Sequence, residues 1–300
     1  MATAAEPRPA ELPLPGGREG AKVKLHPLLT ATVRGPRGWF LREKGRLAGL
    51  RALGIIGSRS DWITAPIVAF LVEHPGAGAV VIDTGFHASV AVSPRSNLGR
   101  LASLLYKDID MRPEQAVAAQ LRAKGIQPSD VTAVIMTHLH PDHASAIVDF
   151  PDATFLLSDV EWDAASDGGP RDGYVKSQFD HGFDYRLLDF GSDDANSFSG
   201  FARSLDVFGD GSVRVLFTPG HTLGHISVAL RTARGEVLVA GDAIFMRRTL
   251  DEEHLPFALP DEHLFRRSLR EIRQYRKETP DALIIPGHDW DAWQELDASY

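Results

Sequence analysis

The sequence predicts an α/β (α+β) protein, a sandwich of two mixed sheets with outer helices, on three observations. Nine short, β-branched apolar runs are spread along the chain. Helical patterns fall between only some of them, so neither a simple βαβ repeat nor an all-β chain fits. The 300 residues are 43% hydrophobic and 24% charged, which allows a core large enough for two sheets.

The elements follow in order. Residues 1–20 are rich in Ala, Pro and Gly and read as a flexible or strapped-on tail ahead of a single domain, 21–300. Strands are expected at VKLHPLLTATV (23–33), PIVAFLVE (66–73) and AVVIDTG (79–85). The stretch 86–112 mixes apolar residues with turn formers and reads equally as a flap or a connecting helix. PEQAVAAQLRAK (113–124) has proline first, acid early and base late, the order that suits a helix dipole. Strands follow at VTAVIMT (131–137) and ATFLLS (153–158). The polar, glycine-rich segment 167–200 reads as a long surface excursion. VRVLFTPG (213–220), HISVAL (225–230) and EVLVAGDA (236–243) resume the strands. A helix over 262–277 places Phe265, Leu269 and Ile272 on one face, flanked by Leu264 and Tyr275, and ALIIPGHD (282–289) closes the series.

Composition excludes several functions. There is no cysteine, hence no disulfide, thiolate metal site or cysteine nucleophile. The formal charge of -8 disfavours nucleic acid and anionic membranes as partners. The start lacks the apolar core of a secretory signal, and no apolar run approaches the ~20 residues of a membrane span, so a cytoplasmic location is expected. A homodimer is neither required nor excluded.

The chemistry gathers in THLHPDH (137–143), at the end of an expected strand. Residues two apart on an extended chain point the same way, so His138, His140 and Asp142 would converge while His143 faces a second point. Three later fragments repeat one form, in which an apolar run and a small or turn residue precede a metal-capable side chain. They deliver His221 in TPGHTLGH, Asp242 in VAGDAIF and His288 in IIPGHDW. Burying such groups unpaired is costly, and a shared metal cluster would resolve all of them. Two zinc-like ions need roughly seven protein ligands when one carboxylate bridges and a hydroxide completes the set. His138, His140, Asp142, His143, His221, Asp242 and His288 complete that set.

With these motifs in this order, the chain resembles the metallo-β-lactamase superfamily over most of its length, which implies an αββα sandwich. The resemblance implies one metal on His138, His140 and His221, a second on Asp142, His143 and His288, and Asp242 bridging. It also implies that Asp83 in VIDTG orients a ligand histidine, although a turn-capping role would also suit an aspartate before Thr-Gly. His225 is surplus to the ligand count.

Within the superfamily, the missing cysteine excludes the lactamases that use a cysteine ligand. His140 stands where flavodiiron proteins carry glutamate, and Leu139 where glyoxalase II usually has histidine. The acidic chain without a basic arm departs from ribonuclease Z. The motifs most resemble the quorum-quenching N-acyl homoserine lactonases. That resemblance implies a hydrolase with two divalent ions, zinc first and Mn, Fe or Co as alternatives. It would open a small-molecule lactone by attack of a metal-bridging hydroxide, with Asp142 shuttling the proton. Phe245, Leu105 and Tyr106 are the expected substrate contacts. Well-known lactonases carry a tyrosine where this chain has Phe245, which leaves esters, thioesters and phosphotriesters open as alternative substrates. A mononuclear iron dioxygenase is the remaining alternative.

Overall fold

A computed structural model describes residues 4–106 and 108–300. Among the described residues, fourteen strands form two mixed sheets. They are β1 (Arg8–Pro9), β2 (Lys24–Pro36), β3 (Trp62–His74), β4 (Gly78–Ile82), β5 (Asp108–Asp110), β6 (Val131–Ile135), β7 (Thr154–Ser158), β8 (Asp184–Leu188), β9 (Asn196–Phe198), β10 (Phe201–Asp206), β11 (Val213–Phe217), β12 (Ile226–Thr232), β13 (Gly235–Gly241) and β14 (Leu283–Pro286). The first sheet runs β1-β8-β7-β6-β4-β3-β2-β5 and the second β14-β13-β12-β11-β10-β9.

The strand runs are apolar because both faces are covered. On β3, Val68, Phe70 and Val72 pack inward against the second sheet's Val213, Val228 and Val239. Their neighbours Ala69 and Leu71 pack outward with Val117 and Leu121 of the helix Val117–Ala123. The helix Glu262–Glu278 covers the second sheet with Leu269, Ile272 and Tyr275. Asp261 caps it, its carboxylate accepting the Leu264 N–H at 2.8 Å. No helix among the described residues is long and apolar enough to cross a membrane.

Two expectations are corrected and two open readings are resolved. The helix expected over 113–124 starts late: Pro113–Gln115 form a 3-10 turn, and Ala116 is extended (ψ 142°) before Val117–Ala123. The excursion expected over 167–200 contains β8 and β9. β8 buries Tyr185 on one face and Leu188 on the other, while Asp184 and Arg186 pair with each other. The tail is a strap from residue 4 onward. Ala4 and Ala5 donate to Asp180, β1 lies parallel to β8, and the Leu14 N–H reaches the Val207 carbonyl. The stretch 86–112 is mainly helical, with Ser89–Val92 and Pro94–Leu105, the latter broken at Gly99 (φ 72°).

A candidate metal centre at the strand ends

β4 and β6 run parallel in the first sheet, and β11, β13 and β14 share one direction in the second. Their carboxyl ends therefore meet at one rim of the sandwich. Asp83 follows β4, residues 137–143 follow β6, His221 follows β11, Asp242 follows β13, and His288 follows β14. Glycines allow the loops to close. A Cβ at Gly287 would stand 2.5 Å from the Asp242 Oδ1, and one at Gly220 would strike the backbone of Phe265 at 2.2 Å.

All seven expected ligands lie at this rim, in three overlapping groups. They are His138, His140 and His221; Asp142, His143 and His288; and His138, His143 and Asp242, with the donor atoms of each group within 4.8 Å of one another. The alternation expected from the loop stops at His140. Pro141 opens the short helix Pro141–Ala144, which turns Asp142 away from His138 and His140 and toward His143.

Four of the five imidazoles have their outward nitrogen fixed. His143 Nδ1 lies 2.8 Å from the Asp83 Oδ2, and His288 Nδ1 lies 3.1 Å from the Pro66 carbonyl. His140 Nε2 faces the Asp172 carbonyl at 3.3 Å. His138 Nδ1 lies 3.0 Å from the Thr137 Oγ1, whose hydroxyl donates to the Asp83 Oδ2 at 2.7 Å. A carboxylate only accepts, so the Thr137 proton is committed to Asp83 and His138 must donate to Thr137. Asp83 Oδ1 also accepts the Thr137 N–H, at 2.7 Å. Asp83, with its backbone at φ 55°, thus orients two imidazoles through one carboxylate.

These bonds use the outer nitrogens as donors and leave the inner ones facing the centre. His138 Nε2, His143 Nε2 and the Asp242 Oδ1 are buried without a hydrogen-bond partner. His140 Nδ1 and His221 Nε2 face each other at 2.9 Å. Burial and the neighbouring imidazoles His143, His140 and His221 hold His138 well below the ordinary histidine range. Burial would lower His143 too, but Asp83, Asp142 and Asp242 outweigh it and raise it. Burial likewise opposes ionisation of Asp242, but His288, His221 and His143 hold it well below the ordinary carboxylate range. Buried carboxylates that demand positive charge, beside bare imidazole nitrogens, make a donor set that fits divalent cations.

His225 is not among the converging donors. Its Nε2 accepts the Asp242 backbone N–H at 3.0 Å and its Nδ1 faces the Thr218 Oγ1 at 2.9 Å, so it fixes the backbone that carries Asp242. Burial pushes its pKa down to about 3. Glu161 escaped sequence reasoning. From the helix Asp159–Asp167 its buried carboxylate accepts from the Leu139 N–H (2.9 Å), the Tyr174 hydroxyl (3.2 Å) and the Thr222 hydroxyl (2.5 Å), tying three loops together. An acid in a first helical turn is unremarkable in sequence, so no signal marked it.

A cavity of about 680 Å³ opens over the cluster. Trp39, Phe40, Leu105, Tyr106, Phe245 and Phe257 contribute to its wall. Phe245 is buried, its ring 5.1 Å from that of His221 and 5.0 Å from that of His288. Leu105 stands exposed at the mouth. Tyr106 reaches the floor and donates its hydroxyl to the Asp142 Oδ1 at 2.7 Å.

Comparison with known proteins agrees with this geometry. The model of the metallo-beta-lactamase superfamily matches residues 63–288. The N-acyl homoserine lactonase AttM of Rhizobium radiobacter is 35% identical over 241 residues, covering 79% of this chain and 86% of that protein. The N-acyl homoserine lactonase of Bacillus cereus is 27% identical over 231 residues, covering 76% and 82%. Among solved structures, an N-acyl homoserine lactone hydrolase with N-hexanoyl-L-homoserine at its catalytic metal centre shares the fold. Its TM-score is 0.74 at 22% identity, covering 92% of this chain and 97% of that one. Fold, site and relatives together define a metal-dependent hydrolase. The chain belongs to the metallo-beta-lactamase superfamily and most resembles its N-acyl homoserine lactonases.

Proposed function

We propose that this protein opens the ring of N-acyl homoserine lactones or closely related lactones, using two divalent cations, zinc in the first place. His138, His140 and His221 would hold one ion, Asp142, His143 and His288 the other, and Asp242 would bridge them. The strongest support is the adjacency of two three-residue donor groups, with Asp242 beside both, to a largely aromatic and aliphatic cavity directly above. The lactonase relatives supply the substrate class. A cytoplasmic location and a small-molecule partner belong to the same reading.

When bound, the ions would supply Lewis acidity and bring the pKa of water toward ~7. The protein's own groups do the rest. Asp83, Thr137 and the Pro66 carbonyl hold His138, His143 and His288 in the tautomer that presents a bare Nε2. Asp142 keeps its Oδ1 on the Tyr106 side; as a water oxygen bonds to the lactone carbonyl carbon and the ring C–O bond breaks, Asp142 would pass the proton lost by that water to the leaving ring oxygen. The product is the ring-opened hydroxy acid. Phe245 packs against both His221 and His288 and offers no donor to a substrate carbonyl.

Ring opening releases acid, so proton release measures it directly. The protein stripped with chelator and reloaded with zinc, manganese or cobalt is expected to hydrolyse homoserine lactones only when loaded. A panel of acyl-chain lengths, aryl esters, thioesters and a phosphotriester tests the substrate class. Turnover of one of the other classes, with lactones untouched by the two-ion protein, would overturn the reading.

A further inference from the structure

The Tyr106–Asp142 contact belongs to no motif. Asp142 stands in a four-residue helix, and its side chain has two distinct ends. Its Oδ2 faces the centre, 3.6 Å from His288 Nε2 and 3.8 Å from His143 Nε2. Its Oδ1 accepts the Tyr106 hydroxyl at 2.7 Å, and among the described residues no other hydrogen bond reaches this carboxylate. Asp242 differs, because His288 and His221 contact its side chain while His225 fixes its backbone. Asp142 has one anchor outside the cluster, and that anchor comes from a different part of the chain.

The anchor is itself held. Tyr106 follows the helix Pro94–Leu105 and donates its N–H to the Ala102 carbonyl at 3.0 Å. Its ring meets Phe86 edge-on, with centroids 5.4 Å apart. Leu98 and Ala102 bury one side of the helix, while Leu101, Leu104 and Leu105 remain exposed. The phenol is thus brought to the rim by a segment that also shapes the mouth of the cavity.

We infer that Tyr106 is a positioning residue for Asp142: its hydroxyl fixes the carboxylate so that Oδ2 is committed to the cation shared with His143 and His288 while Oδ1 stays on the cavity side. The inference rests on the two-cation reading proposed above. It couples the seating of the helix Pro94–Leu105 to occupancy of one ion and not the other. Without the tether the carboxylate is free to rotate about its side-chain torsions, and the second ion loses a preset ligand.

The test is Tyr106→Phe, which keeps the ring and its contact with Phe86 and removes only the donor. Calorimetric titration of the metal-free protein with zinc should resolve two ions in the wild type. In the variant, the first should bind within about twofold of wild type and the second on the order of tenfold to a hundredfold more weakly. Melting of the metal-free variant should match wild type. In an Asp142→Ala background, Tyr106→Phe should change neither ion's affinity further. Unchanged binding of the second ion in Tyr106→Phe, or equal weakening of both, overturns the inference with the two-cation reading intact. Wild type taking up only one ion overturns that reading and the inference with it.

Discussion

The floor of the cavity and its wall are held by different forces. On the floor, four imidazoles are each pinned by an acceptor behind them, and Asp83 alone serves two. The wall has few such ties. Trp39, Phe40, Phe245 and Phe257 meet through tilted ring contacts, with Trp39 and Phe257 at 5.9 Å and Phe40 and Phe245 at 6.4 Å. Directional bonds fix atoms to a few tenths of an ångström, whereas apolar packing fixes volume and tolerates exchange of shape. The floor is therefore suited to hold one chemistry while the wall is free to set which substrate reaches it.

That contrast can be broken most severely at the floor. Asp242→Ala removes the carboxylate that contacts both His221 and His288. It should lower ion content and reduce kcat/KM by roughly a thousandfold or more, measured by metal analysis beside lactone turnover. A variant keeping both ions and near-native turnover would contradict the role given to the floor.

Asp83→Asn asks whether orientation alone matters. Asparagine tolerates the left-handed backbone found here, so the fold should survive. A neutral amide is a poorer acceptor for His143 and Thr137, and metal affinity should fall about tenfold to a hundredfold. Competition against a chromophoric chelator measures it, and unchanged affinity would show that the pins are dispensable.

Trp39→Ala probes the wall. It should leave both ions bound and raise KM for long-chain substrates by about tenfold, the order expected from losing part of a large apolar contact. Short-chain substrates should be nearly unaffected. Equal loss for both lengths, or loss of metal, would erase the distinction between floor and wall.

The smallest effect lies far from the cavity. Arg186, Arg8 and Thr154 outweigh the burial of Asp184 and hold its pKa down to about 2. An aspartate depressed in the folded state stabilises it above the unfolded value of ~3.9, and that contribution is lost as pH falls toward about 2. The strap carrying Arg8 should therefore become protease-sensitive in that acid window before the body of the protein unfolds. Cleavage that sets in only with global melting would show that the Arg8 pair does not hold it.

The floor was largely legible in the sequence because strand ends, Pro-Gly turns and closely spaced histidines are local patterns. The grouping of Asp142 was split: residue alternation put it with His138 and His140, the family resemblance put it with His143 and His288, and the helix beginning at Pro141 is the physical reason for the second grouping. Glu161 carried no local mark, since its partners Leu139 and Thr222 are distant in sequence. β8 was concealed because Asp184 and Arg186 interrupt its apolar pattern and neutralise each other on one face. The wall was the least legible part. Phe40 approaches His288 from the other end of the chain, with ring centroids 6.3 Å apart, and only the folded sandwich brings them together.

The strap has one more consequence. Without it, β8 would end a sheet of seven strands with its backbone N–H and C=O groups open to another chain. The two residues of β1 cover that edge, and Pro9 has no N–H to continue the ladder. A sheet finished this way resists edge-to-edge aggregation. A chain trimmed of its first twenty residues would then keep its chemistry and lose colloidal stability, a liability that would appear in concentrated solution before it appeared in an assay.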